Sequence, residues 1–101
     1  MEIPKSSEMN GLIPLEFHLS QNYPNPFREK TIIKYCVAFK TKVTITILNF
    51  KNKLIKTLVQ EEKEAGTYEV EFDAGNLPEG IYFFQLETEE CIYKKEMNLK
   101  R

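Results

Sequence analysis

Few side chains in this sequence are equipped for chemistry: one histidine, His18, two cysteines, Cys36 and Cys91, and two runs of carboxylates, Glu61, Glu62 and Glu64, then Glu87, Glu89 and Glu90. Nucleophilic catalysis pairs a hydroxyl or thiol with a base. The sole histidine lies beside Ser20, on the polar side of a short extended segment, where a solvated imidazole is the simpler reading. A zinc site would need His18, Cys36, Cys91 and a carboxylate to converge from distant stretches, with no C-x-x-C knuckle to start from. The glutamates could lend oxygens to calcium, but the D-x-D-x-D-G loop pattern is missing, and solvated turns account for them. Neither a catalytic centre nor a metal or cofactor is expected.

The two cysteines do not by themselves argue an oxidising compartment, and a disulfide between them stays open without being favoured. Fourteen Lys and Arg against fifteen Asp and Glu give a formal charge of −1. With the signs interleaved there is no general field for nucleic acid or anionic lipid, so neither is an expected partner. Apolar runs are a few residues long, far below the roughly 20 that span a bilayer, and no membrane insertion is expected. Lys94, Lys95, Lys100 and Arg101 make a local basic end. Alternating charges there either guard an edge strand against pairing or meet an acidic receptor surface.

What positions these groups is a series of short strands. With 42% hydrophobic residues, seven Phe and five Tyr, the 101-residue chain has material for one core. "TIIKYCV" puts Ile33, Tyr35 and Val37 on one side, and "KVTITILNF" does the same with Val43, Ile45 and Ile47. "NFKN" (49 to 52) is a hairpin turn, Asn tolerating the left-handed backbone. In "KLIKTLV" Ile55 and Leu58 are three apart and cannot share a face of an unbroken strand, which predicts a bulge or a bend. "EEKEAG" reads as a charged interruption, after which "TYEVEFD" alternates Tyr68, Val70 and Phe72 inward. In "AGNLPEG", Pro78 presets the first corner of a turn and Gly80 accepts the backbone leaving it. "IYFFQLE", apolar on both faces, is expected to lie centrally and covered on both sides. "TEE" turns into "CIYKKEMNLK", the last strand. Even spacing with no 3.6-residue stripe, internal repeat or low-complexity tract predicts an all-β, immunoglobulin-like antiparallel sandwich of about seven strands.

The least ordinary stretch is "QNYPNPF", residues 21 to 27. Each proline fixes its own φ and lacks an amide donor, and Tyr23 and Asn25, preceding prolines, are pushed out of the helical region. Residues 23 to 26 are therefore expected to run extended, on an edge or crossing between sheets. Tyr23 and Phe27 are free to drop rings onto the core while the Asn side chains bond nearby backbone. The plain reading is a rigid entry bend; as a functional reading, such a stiff piece also makes a recognisable surface at low ordering cost.

Taken in series, "FHLSQNYPNPF" (17 to 27), "TIIKY" (31 to 35), "VTITILNFKNKLIKTLV" (43 to 59), "AGTYEVEFDAGNLPEGIYFFQL" (65 to 86) and "KKEMNLKR" (94 to 101) resemble the type A C-terminal sorting domain of the type IX (Por) secretion system. The resemblance implies a non-catalytic tail. The outer-membrane translocon, shuttle and sortase components would recognise it folded, moving its cargo from periplasm to cell surface or medium. It also implies signal positions: Asn22, Tyr23, Pro24, Asn25 and Pro26 in the first signature, Gly66 and Tyr68 in the middle one, Gly80 and Tyr82 in the next, and Lys95, Met97 and Lys100 in the terminal strand. Departures are Arg28 and Glu29 where many members have Asn-Pro, Ala38 for a common proline, and Asn52 for the hairpin glycine, whose backbone Asn can adopt.

Residues 1–16, rich in turn formers and without the basic-then-apolar pattern of a signal peptide, read as linker or the remnant of a preceding segment, with the domain at 17–101. On that reading the chain is an excised domain or a truncated reading frame. An open edge strand leaves weak pairing between copies open. A reading from another class is a carbohydrate- or surface-binding sandwich using exposed rings such as Tyr93 or Phe50, for which a flat row of solvent-facing aromatics is the mark.

Overall fold

The structure is a computed structural model and describes residues 16–101. All but the last residue of the linker expected over 1–16 lies outside the described residues. Seven strands form among them: β1 (His18–Leu19), β2 (Lys30–Val37), β3 (Thr41–Leu48), β4 (Leu54–Lys63), β5 (Gly66–Asp73), β6 (Gly80–Glu87) and β7 (Ile92–Leu99). They pair antiparallel into a three-stranded sheet, β1-β2-β5, and a four-stranded sheet, β4-β3-β6-β7. Second strand pairs fifth, and third pairs sixth, so the chain crosses repeatedly between layers, as in immunoglobulin-like sandwiches.

The core follows from the two-residue period. Ile33, Tyr35 and Val37 of β2 face Val43, Ile45 and Ile47 of β3 and Phe84 and Leu86 of β6 across the interior, all essentially without solvent contact. Phe72, Phe27, Met97 and Leu99 fill the end of the sandwich where β6 begins. β-branched residues on β2 and β3 suit this pleated interior, since their restricted χ1 is compatible with strand packing.

Three local expectations hold. Asn52 takes φ 65° in the β3–β4 hairpin, with Asn49 Oδ1 accepting the N–H groups of Lys51 and Lys53 at 2.8 and 2.9 Å. The β3–β4 register skips Leu58 and then Ile55, so the spacing that broke alternation produces two bulges. Gly80 has φ 145°, a backbone that side chains resist.

Four local expectations do not hold. "EEK" does not interrupt a strand. β4 runs through Lys63, because an edge strand can carry charge on positions that face water. The hydrogen-bonded turn of "AGNLPEG" is residues 74–77, Leu77 N–H to Ala74 O at 3.0 Å, with Gly75 at φ 55°, so the glycine and not Pro78 makes the corner. β6 is central in pairing but covered on one face only. Ile81 and Phe83 stay half-buried on the outside, where the Lys94 ammonium sits 5.0 Å from the Phe83 ring centre. The fourth concerns "QNYPNPF" and belongs to the site.

Candidate functional site

Residues 21–27 do cross between the sheets. Tyr23 pairs with Ile32 on the three-stranded sheet, and Phe27 pairs in parallel with Leu99 on the four-stranded one. The segment does not run extended: residues 24 to 26 bend, and both the Tyr23–Pro24 and Asn25–Pro26 peptide bonds are cis. The restrictions on φ and on the residue before proline left ω out of account, and X–Pro bonds are where ω has a choice. Nor do both rings join the core. Phe27 is buried and meets Phe72 edge to face at 6.1 Å, while Tyr23 is 79% exposed.

The bend is held by its asparagines. Asn22, 3% exposed, donates from Nδ2 to Thr31 Oγ1 at 2.9 Å and to the Pro24 carbonyl at 3.1 Å. The Thr31 hydroxyl donates to that same carbonyl at 2.8 Å. Asn25 Oδ1 accepts the Asn98 N–H at 2.9 Å, the Phe27 N–H reaches Asn98 O at 3.0 Å, and the Lys100 N–H reaches Phe27 O at 2.8 Å. Gln21 adds its side-chain amide to the Glu96 carbonyl at 2.7 Å. Prolines without amide donors cost nothing here, because side chains and the last strand supply the bonds.

The same end of the sandwich collects most of the anticipated signal positions. Gly80 pairs with Leu99 and Tyr82 with Met97, so the third signature and the terminal strand are neighbours in one sheet, with the first signature laid along their edge. Met97 is buried, Lys95 half-buried and Lys100 exposed. Tyr82 is buried and its hydroxyl donates to the Pro78 carbonyl at 2.7 Å, the back-bond that locks the corner leading into this strand of immunoglobulin-like domains. Burial raises its pKa above the usual phenol value, with Arg101 acting in the opposite sense. Gly66 and Tyr68 stand apart, at the opposite end of β5, where the Tyr68 hydroxyl bonds Glu64 O at 2.7 Å and its ring stacks on Tyr35 at 5.4 Å. Gly66 is not in the left-handed region, and an added Cβ would meet Tyr68 at an ordinary 3.6 Å.

The positions therefore divide. Asn22, Tyr82 and Met97 are built into the body, and Gly80 is fixed by its backbone. Tyr23, Pro24, Pro26 and Lys100 turn side chains to water. Sequence reasoning missed Gln21, Thr31 and Arg101. Thr31 was findable: it precedes Ile33, Tyr35 and Val37 in the inward series of β2. Arg101, read as part of a loose basic end, is a clasp, its guanidinium donating to Arg28 O, Gly75 O and Leu77 O at 3.1, 2.7 and 2.9 Å. Arg28 and Glu29 lend only backbone carbonyls here, Glu29 O accepting Ala74 N–H at 2.8 Å, which explains why side chains other than Asn-Pro fit.

His18 is exposed on β1, and both thiols are free. Among the described residues no three of His, Cys, Asp and Glu cluster as metal ligands would, and no helix is long and apolar enough to cross a membrane. Phe50 and Tyr93 do not stand together. Phe50 lines a hollow with Leu77 and Pro78 at one end of the four-stranded sheet, and Tyr93 lines another with Phe17 near the other end.

Fold and site together define a small β-sandwich module whose distinctive segment is sealed onto its last strand and presents surface. The secretion system C-terminal sorting domain family matches residues 21–100, and the chain belongs to it. It is a type IX C-terminal sorting domain, a class of signal module that is in general non-catalytic and is recognised by the type IX machinery of proteins sent to the cell surface or the medium. No curated protein and no solved structure shows significant similarity to it.

Proposed function

We propose that the folded sandwich is the address read on a cargo protein arriving in the periplasm. Translocon, shuttle and sortase components recognise its surface, move the cargo across the outer membrane, and leave it attached to the surface or released. The first signature and the terminal strand form one continuous structure through Asn25, Phe27, Asn98 and Lys100, and this carries the reading. A composite of that kind exists only after folding, so recognition waits for a folded tail. Tyr23, Pro24 and Pro26 are the readable positions within it, stiff and exposed, which lowers the ordering cost of docking.

Fusing residues 17–101 behind a Sec-exported reporter in a type IX-competent cell tests this. The reading expects the reporter at the surface or in the medium. Retention in the periplasm, with the tail intact by immunoblot, would refute it.

A further inference from the structure

The outer rim of β7 is only half covered. Asn98 engages Asn25 and Phe27 there, and the Glu96 carbonyl takes the Gln21 amide. Backbone groups along an antiparallel strand alternate in direction, so Ile92 and Lys94 turn their N–H and C=O to this same rim. β7 is the last strand of its sheet, and no described residue meets those groups.

Beside the open stretch lies a hollow of about 290 Å³ between β1 and β7, with Phe17, Leu19, Tyr93 and Lys95 in its wall. Lys95 is half-buried on the face it shares with Met97 and Leu99, and among the described residues it has no carboxylate partner. Glu16, in the same wall, makes no ion pair with it. A lysine whose stem lies along an apolar wall holds its ammonium ready for a carboxylate brought beside it. Strand addition would use both features at once: main-chain bonds to the rim, and alternate side chains dropped into the hollow.

We propose that residues 92–96 of β7 and this hollow accept an extended acidic segment of a partner protein of the secretion machinery. The segment adds as an eighth strand, sets a carboxylate on Lys95, and places an apolar side chain against Phe17 and Tyr93. The proposal rests on the sorting reading and names the chemistry of the partner. Lys94 plays a different part from Lys95: its ammonium is occupied on the outer face by Asn52 Oδ1 at 2.7 Å, and only its backbone serves the added strand.

The test uses the full chain and two synthetic ten-residue peptides, one alternating valine with aspartate and one alternating valine with lysine. The acidic peptide is expected to bind and to slow hydrogen exchange at the Lys94 amide, with affinity falling about tenfold in Lys95→Gln. Lys94→Pro removes an N–H that β6 does not use, and is expected to abolish binding without unfolding the domain. Equal binding of both peptides, binding by neither, or unchanged binding in Lys95→Gln overturns the proposal. So does a chain that sediments as a dimer through this rim, since the occupant is then a second copy. In cells, a wild-type fusion exported alongside an equally exported Lys95→Gln fusion sinks this proposal and leaves the sorting reading standing; failure of the wild-type fusion sinks the sorting reading itself.

Discussion

Asn22→Ala is the substitution whose cost can be worked most fully from the bonds around it. The amide makes three: Nδ2 to Thr31 Oγ1 and to Pro24 O, and Oδ1 from Gln21 Nε2 at 2.8 Å. Gln21 is exposed, so water replaces its bond at little cost. The donated bond to Thr31 is buried and the one to Pro24 O part-buried, and at about 1 kcal/mol each their loss destabilises by about 2 kcal/mol. Thr31 is not orphaned, since its hydroxyl still donates to Pro24 O, which keeps the total from rising further. For a domain of this size about 2 kcal/mol corresponds to a fall of roughly 8–16 °C in Tm. Thermal unfolding followed by circular dichroism measures it, and a double-mutant cycle with Thr31→Val isolates the side-chain pair, with an expected coupling of about 0.5–1.5 kcal/mol. A Tm drop below about 2 °C, or additivity within about 0.3 kcal/mol, would show that the asparagine does not hold the bend. Tyr23→Ala, at an exposed neighbour, is expected to leave Tm nearly unchanged while lowering export, the opposite pattern.

Other outcomes follow from the same structure. Tyr82→Phe removes the bond to the Pro78 carbonyl, and chemical denaturation is expected to show a loss of about 1 kcal/mol; the exposure of Pro78 lets water take up part of the deficit. At the β3–β4 hairpin, Asn52→Gly is expected to be neutral within about 0.5 kcal/mol, whereas Asn52→Ala costs about 1 kcal/mol because alanine keeps the Cβ that φ 65° crowds but lacks the polar side chain with which asparagine tolerates this backbone; comparing their denaturation midpoints decides it. Burial raises the pKa values of Tyr35 and Tyr82, so the folded chain keeps protons that the unfolded chain releases above pH 10, and stability should fall as pH rises past that point. Stability independent of pH through that range, by urea titration at successive pH values, would contradict the burial of these phenols.

The fold was legible because alternation in this chain is clean. Ile33, Tyr35 and Val37, and Val43, Ile45 and Ile47, can share a face only as strands, and the three-residue step from Ile55 to Leu58 can be reconciled with a strand only by a bulge. Less legible was anything decided by distant partners. Nothing local to Asn25 says that its oxygen caps the Asn98 amide, and nothing local to Arg101 points to carbonyls at residues 28, 75 and 77. Proline rules fixed φ around Pro24 and Pro26 but not ω, so the extended run expected there is a bend. Periodicity likewise could not tell a strand covered twice from a central strand with a half-covered face, and Phe83 shows the difference.

The central claim is that a folded body, and not a string of signature residues, is what the secretion machinery reads. Ile45→Asp separates the two. Ile45 is wholly buried and belongs to none of the signature positions, and an unpaired carboxylate there costs several kcal/mol, enough to unfold a domain of ordinary stability. Fused behind the exported reporter with every signature residue retained, this tail is predicted to leave the reporter in the periplasm while the unsubstituted tail delivers it outside. Delivery of both reporters at equal rates, with the Ile45→Asp tail shown to be unfolded, would contradict the account.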